Sequence, residues 1–158
     1  MEEVTKKSRP ISAPDQANPY PYGGLVYIPT YSEIYNYNQE KKLLLSATMS
    51  VHNVDPKATI FLTRVEYYDT HGQLIRQNLQ KQIKMRPFET KNVVIEFEER
   101  KGGPGSNFLV EWRSEKPTQS PIVESVMIST ESSLGISFVC QGKVIETYAP
   151  APSSSLDD

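Results

Sequence analysis

Reactive side chains are scarce in this chain: 158 residues contain one cysteine, two histidines and one tryptophan. A single cysteine excludes an internal disulfide and any thiolate zinc cluster. Cys140 closes the apolar run Ile136-Ser-Phe-Val-Cys140, where a lone thiol is expected to act as a small core hydrophobe. His52 and His71 have no Ser or Cys beside them in a nucleophile motif, so no catalytic triad can be assembled. Charge of one sign is missing too. Seventeen Lys and Arg stand against nineteen Asp and Glu, a formal net charge of -2, which gives no electrostatic footprint for nucleic acid or an anionic membrane. No apolar run approaches the roughly 18 residues of a membrane span. The opening Met-Glu-Glu-Val lacks the basic and apolar layout of a signal peptide, so the chain reads as soluble.

What the chain does have is tyrosine and proline. Nine Tyr and twelve Pro suit strands and turns better than helices. Residues 1–23 and 149–158 are polar and proline-punctuated, with little to bury, and are expected to be a flexible leader and tail. The segment between them, 24–148, has the length of one domain. Leu43, Leu45, Ala47, Met49 and Val51 alternate with polar neighbours through Lys42 to His52, a half-buried strand. Ile60 to Tyr68 is a second strand. It ends at Asp69-Thr-His-Gly72, and Gln73 to Leu79 returns as its hairpin partner. Lys91 to Phe97, Asn107 to Ser114 and Ile122 to Thr130 follow, with Trp112 as a core anchor.

The loop Arg100-Lys-Gly-Gly-Pro-Gly-Ser106 is expected to be a mobile connection, and it lacks the Lys-Ser/Thr ending and following helix of a phosphate loop. Gln141-Gly142 is expected to turn Ile136 to Cys140 into a hairpin with Lys143 to Thr147. Thr30-Tyr-Ser-Glu33 has capping-box spacing and allows one short helix near Ile34 and Tyr35. Together these signals predict an all-β domain: an Ig-like antiparallel β-sandwich of about eight strands in a meander, with at most one short helix.

Several segments in order, Tyr27-Ile-Pro-Thr-Tyr-Ser32, Asn53-Val-Asp-Pro56, Val65-Glu-Tyr-Tyr-Asp69, Asn107-Phe-Leu-Val-Glu-Trp-Arg-Ser114, Pro121-Ile-Val-Glu-Ser-Val-Met-Ile128 and Gly135-Ile-Ser-Phe138, resemble an uncharacterised bacterial family, domain of unknown function 3124. The resemblance brings no established activity, ligand or catalytic residue. It implies proteins that begin with an export or lipoprotein signal. A cell-envelope or periplasmic location is then expected if such a signal has been removed, with the proline-rich leader as spacer, and a cytoplasmic one otherwise.

The residues themselves point to no catalytic set, no cofactor and no metal. Glu96, Glu98 and Glu99 read as a solvated strand end. Glu111 and Glu124 alternate with apolar residues and are expected to face water or pair across strands. Asp55 and Asp69 lie in loops without the pattern of a calcium site. Aromatic crowding is the one feature that invites binding. Tyr27 and Tyr31 read as core, whereas Tyr35 and Tyr37, flanking Asn36, are the candidate binding residues. The expected function is a non-enzymatic interaction or accessory domain whose partner is a protein. The alternative is a carbohydrate- or small-ligand-binding module using the tyrosine-rich surface. Neither nucleic acid nor membrane insertion is expected.

Overall fold

The computed structural model describes residues 19–96, 101–129 and 135–151. The leader up to residue 18, Glu98 and Glu99, and the tail from residue 152 lie outside the described residues. Twelve strands and no helix form among those described: β1 (Tyr22–Pro29), β2 (Glu33–Asn36), β3 (Asn38–Leu44), β4 (Ser46–His52), β5 (Ile60–Tyr68), β6 (Leu74–Gln77), β7 (Ile83–Met85), β8 (Thr90–Ile95), β9 (Asn107–Ser114), β10 (Ile122–Ser129), β11 (Ile136–Gln141) and β12 (Lys143–Tyr148).

All strand pairs are antiparallel. One sheet runs β12-β1-β9-β5, and the far edge of β5 is shared by β7 along Ile60–Leu62 and by β6 along Glu66–Tyr68. The second runs β11-β10-β4-β8, and β2 pairs with β3 as a separate hairpin. Period-two alternation explains why the two larger sheets stack. Val26, Ile28, Phe108, Val110 and Trp112 from one meet Ala47, Met49, Val51, Ile95, Val123 and Met127 from the other in a single buried core. The chain is thus a two-sheet antiparallel sandwich, as the strand pattern predicts, but its sheet order is not the expected meander. β9 inserts between β1 and β5, and β10 between β11 and β4.

Four local readings are corrected. Thr30-Tyr-Ser-Glu33 starts no helix; the chain extends into β2, and Tyr37, at a φ of 68°, turns it into β3. The alternation from Lys42 to His52 is divided between β3 and β4. Its break is Leu45, whose N–H donates to Ser32 O at 2.9 Å instead of to a neighbouring strand. β11 and β12 form no hairpin. β11 pairs with β10 and β12 with β1, so Gly142 carries the chain from one sheet to the other. Its N–H donates to Val123 O at 2.8 Å, and a side chain there would meet Val26 and the Val123 carbonyl within 3 Å.

The described part of the glycine-rich loop is tied down, against the expectation of a mobile connection. Thr70 N–H donates to Gly102 O, Gly103 N–H donates to Ser32 Oγ, and Thr30 N–H donates to Ser106 O, each at 2.9 Å. The glycines are needed because the backbone is packed on the core. A methyl group on Gly102 would fall 1.8 Å from the Tyr67 hydroxyl.

A bulge also resets β5. Ile60 and Leu62 face the core, as do Val65 and Tyr67, and the register slips between Leu62 and Arg64. Thr63, the extra residue, donates its hydroxyl to Glu111 Oε1 at 2.7 Å.

Candidate functional site

Three surfaces carry the chemistry of this domain. The first is the tip of the β2–β3 hairpin, where Tyr35 is 56% exposed and Tyr37 97%. Asn38 shapes the tip, its Oδ1 accepting from the N–H groups of Glu40 and Lys41, each at 3.0 Å. The Lys42 ammonium sits 5.6 Å from the Tyr35 ring centroid and 3.5 Å from Glu33 Oε1. Both candidate tyrosines are therefore at the surface, on one hairpin and close in sequence. The other two tyrosines depart from a simple core assignment. Tyr31 is half-buried against Phe138, whereas Tyr27 is partly exposed on the outer face of its sheet.

The second surface is the outer face of the β12-β1-β9-β5 sheet. Tyr148 Oη lies 3.0 Å from Glu111 Oε2 and 3.1 Å from Glu146 Oε2, and the Arg113 guanidinium stacks 4.1 Å above the Tyr148 ring. The phenol has one proton and donates it to one carboxylate at a time. Burial first, and then the negative charge of Glu111, push the Tyr148 phenol well above its usual range.

The sign of the pH dependence follows. A group that holds its proton more tightly when folded contributes stability below the unfolded pKa, and that contribution is lost as pH rises above about 10. Tyr148→Phe is therefore expected to lessen the fall in stability on the alkaline side, measured by urea unfolding at stepped pH. An unchanged alkaline slope would contradict the assignment.

The third surface is the outer face of the β11-β10-β4-β8 sheet. Registers place Val139 opposite Val126, Val126 opposite Thr48, and Thr48 opposite Val94, so one row crosses all four strands. Val94 and Val139 are 58% and 54% exposed, and Ile128 and Ile122, on the same face of β10, are about half exposed. The neighbouring polar side chains bond to each other. Gln141 Nε2 donates to Glu124 Oε2 at 3.3 Å, His52 Nε2 lies 3.1 Å from Glu124 Oε1, and His52 Nδ1 lies 2.9 Å from Thr90 Oγ1. A carboxylate only accepts, so the imidazole donates from Nε2 to Glu124, and the Thr90 hydroxyl, which can donate or accept, completes the contact at Nδ1. Ser50 Oγ donates to Asn92 Oδ1 at 2.6 Å. The result is a band of solvent-facing aliphatic side chains bordered by polar groups that already have partners, the composition of a protein-contact surface.

This apolar face is what a reading of the sequence misses, although a signal is present. Ile122-Val-Glu-Ser-Val-Met-Ile128 carries apolar residues on both strand faces, as do Val93-Val94-Ile95 and Phe138-Val139. Near-continuous apolar runs are the sequence pattern of strands that bury both faces, whereas this antiparallel sheet leaves one of them in solvent.

The loop carboxylates serve the backbone. Asp55 Oδ1 accepts from Lys57 N and Ala58 N at 2.8 Å, and its Oδ2 from Gln119 N at 3.1 Å, which holds its carboxyl below the usual range. Asp69 Oδ1 accepts from His71 N and Gln73 N, both at 2.9 Å. Among the described residues no three His, Cys, Asp or Glu side chains converge as a metal site. Burial raises the Cys140 thiol above its ordinary value, which disfavours the thiolate. A shallow cleft of 340 Å³ lies at the edge of the larger sheet, where Tyr20 packs on Phe61 at 4.3 Å beside Lys84, Lys116 and Glu115.

A family model described as a protein of unknown function, DUF3124, matches residues 23–145. No curated protein matches. The crystal structure of Thermotoga maritima 1070 superposes with a TM-score of 0.45 at 7% identity, over 76% of this chain and 92% of that one, a likeness too low to carry an inference.

Proposed function

We propose that this chain, which belongs to the family of proteins of unknown function DUF3124, is a non-enzymatic interaction domain of the bacterial cell envelope. A protein partner docks on the outer face of the β11-β10-β4-β8 sheet. The single observation that carries this reading is the row Val139, Val126, Thr48 and Val94, with Ile128 beside it, left in solvent while the polar groups around it are paired. Aliphatic surface of this kind gains from being covered, at about 25 cal/mol per Å² removed from water. Directionality comes from the rim of His52, Glu124 and Asn92.

Val126→Lys and Ile128→Lys test it. Both side chains are solvent-facing, so stability is expected to change by less than about 1 kcal/mol. Capture of the partner from a membrane-and-periplasm extract is expected to fall at least about tenfold, the effect of losing 1.4 kcal/mol at a contact. Capture equal to the unmodified chain contradicts the surface. Fractionation of the native gene product tests location separately, and recovery with the cytosol removes the envelope from the proposal.

A second reading rests on the hairpin. Tyr37, almost fully exposed beside Asn36 and Asn38, offers an aromatic face flanked by amides, a combination that suits a sugar ring. Saturable glycan binding that disappears in Tyr35→Ala and Tyr37→Ala supports it.

A further inference from the structure

The 340 Å³ cleft at the edge of the larger sheet lies apart from the docking face, which belongs to the other sheet. Strand register sets its floor. Phe61 of β5 stands opposite Lys84 of β7, and opposed residues share a face, so the two side chains lie next to each other on the outer surface. Tyr20 covers Phe61, with ring centroids 4.3 Å apart and a tilt of 32°. The segment that leads into β5 forms one wall, and Glu115, Lys116 and Thr118, which follow β9, form the other. The Asp55 carboxylate ties these walls together: Oδ1 accepts from Lys57 N and Ala58 N on one side, and Oδ2 from Gln119 N on the other. Walls fixed before a ligand arrives lose little affinity to being ordered.

The polar groups of this cleft are unpartnered, in contrast to those that border the docking face. Lys84 and Lys116 are exposed and have no carboxylate partner among the described residues, although Glu115 lines the same cleft. The Thr118 hydroxyl is shielded from water and makes no hydrogen bond among the described residues. Two ammonium groups against one carboxylate leave a positive excess, which an acid group on a ligand would compensate. Tyr20 laid on Phe61 offers a platform for one face of a ring. Hydroxyl groups on that ring suit the remaining side chains, since a carboxylate accepts and a threonine hydroxyl either donates or accepts. Rotation about χ1 brings the Thr118 hydroxyl into the cleft and breaks no bond, because none is made in the free protein.

We propose that this cleft binds a sugar acid, a hydroxylated ring that carries a carboxylate or a phosphate group. The acid group lies between Lys84 and Lys116, one face of the ring rests on Tyr20, and ring hydroxyls donate to Glu115 and meet Thr118. The site is independent of the docking face, so either assignment can fail alone. A volume of 340 Å³ falls at the small end of the range for small-ligand sites, about 300–1,000 Å³, and accommodates a single ring. A ligand of that size in an open cleft is expected to have a dissociation constant of about 1 mM.

The test is a titration of the full chain with glucuronate and with glucose 6-phosphate, followed by amide NMR. Saturable shifts are expected at Lys84, Lys116 and Thr118, and the tighter ligand identifies the acid group. Glucose keeps the ring without the acid, and inorganic phosphate keeps the acid without the ring. Each is expected to bind at least about tenfold more weakly than the better sugar acid. Lys84→Gln combined with Lys116→Gln is expected to weaken that acid at least about tenfold with an unchanged circular dichroism spectrum, because both positions are exposed. Val126→Lys, on the other sheet, is expected to leave its binding unchanged. The absence of saturable shifts for both acids up to about 10 mM overturns the proposal. So does inorganic phosphate binding as tightly as glucose 6-phosphate, which reduces the site to an anion on surface lysines. Shifts confined to the β2–β3 hairpin, or binding unaltered in the double lysine variant, overturn it as well.

Discussion

Gly23→Ala is expected to leave the domain largely unfolded, with a loss of at least about 4 kcal/mol, a size confined to a few severe mechanisms. A methyl group on Gly23 would lie 2.0 Å from the carbonyl oxygen of Trp112 and 3.0 Å from the Cα of Arg113. Both are main-chain atoms of β9, the central neighbour of β1, so no side chain can swing aside to make room. The φ of 155° adds to the conflict, since side-chain-bearing residues rarely adopt it. Gly72→Ala is the control. It also has positive φ, at 80°, but no atom lies within 4 Å of the added carbon, and the expected cost is about 1–2 kcal/mol. Urea midpoints of the two variants should differ widely, and equal midpoints would contradict the packing of β1 on β9.

Asn53→Ala is expected to cost about 3 kcal/mol, and Asn53→Asp at least as much. Asn53 is 1% exposed and acts as a hub. Its Nδ2 lies 2.9 Å from Ala58 O, 3.1 Å from Arg86 O and 3.3 Å from Met85 O, while Oδ1 accepts from Asp55 N at 3.1 Å. Its own N–H donates to Glu89 O at 2.9 Å, so one residue fastens the 53–58 loop to the turn between β7 and β8. Alanine leaves buried carbonyls without donors. Aspartate points a negative oxygen at those carbonyls in a site with little water, which is the worse conflict. An Asn53→Asp variant as stable as the parent would show that the amide is not the donor this network requires.

Asn53 also shows where sequence reading stops. In Asn53-Val-Asp-Pro-Lys57 the residue reads as ordinary turn chemistry, and a turn does form there. Nothing local announces that the amide is buried against Met85 and Arg86, more than thirty positions away. The strands of the core were legible because Leu45, Ala47, Met49 and Val51 alternate cleanly, and Trp112 was legible as an anchor.

Connectivity was not legible. The Gln141-Gly142 step looks like a hairpin turn, and only the crossing between sheets, with Gly142 held against Val123, decides otherwise. The spacing of Thr30 and Glu33 suits a helix start, but β2 has a partner strand in β3, and pairing overrides a local cap signal. The glycine-rich loop suggested mobility by composition, whereas its described residues are held by Thr70, Ser32 and Thr30.

Exposed Tyr35 and Tyr37 could be picked from the sequence because they crowd a polar stretch. The apolar band could not be picked so readily, since a valine on the solvent side of a strand looks the same in sequence as one facing the core. Knowing that Val126 and Met127 lie on opposite faces of β10 separates the two roles.

The most direct measurement is site-specific photocrosslinking in living cells, with a photoreactive side chain placed at Val126 in one strain and at Lys84 in another. Val126 lies in the centre of the apolar face, and Lys84 is an exposed position on the other sheet. A discrete crosslinked band from position 126, absent from position 84, is the expected result. Equal labelling at both positions, or none at 126, would contradict the assignment of this face as the docking surface.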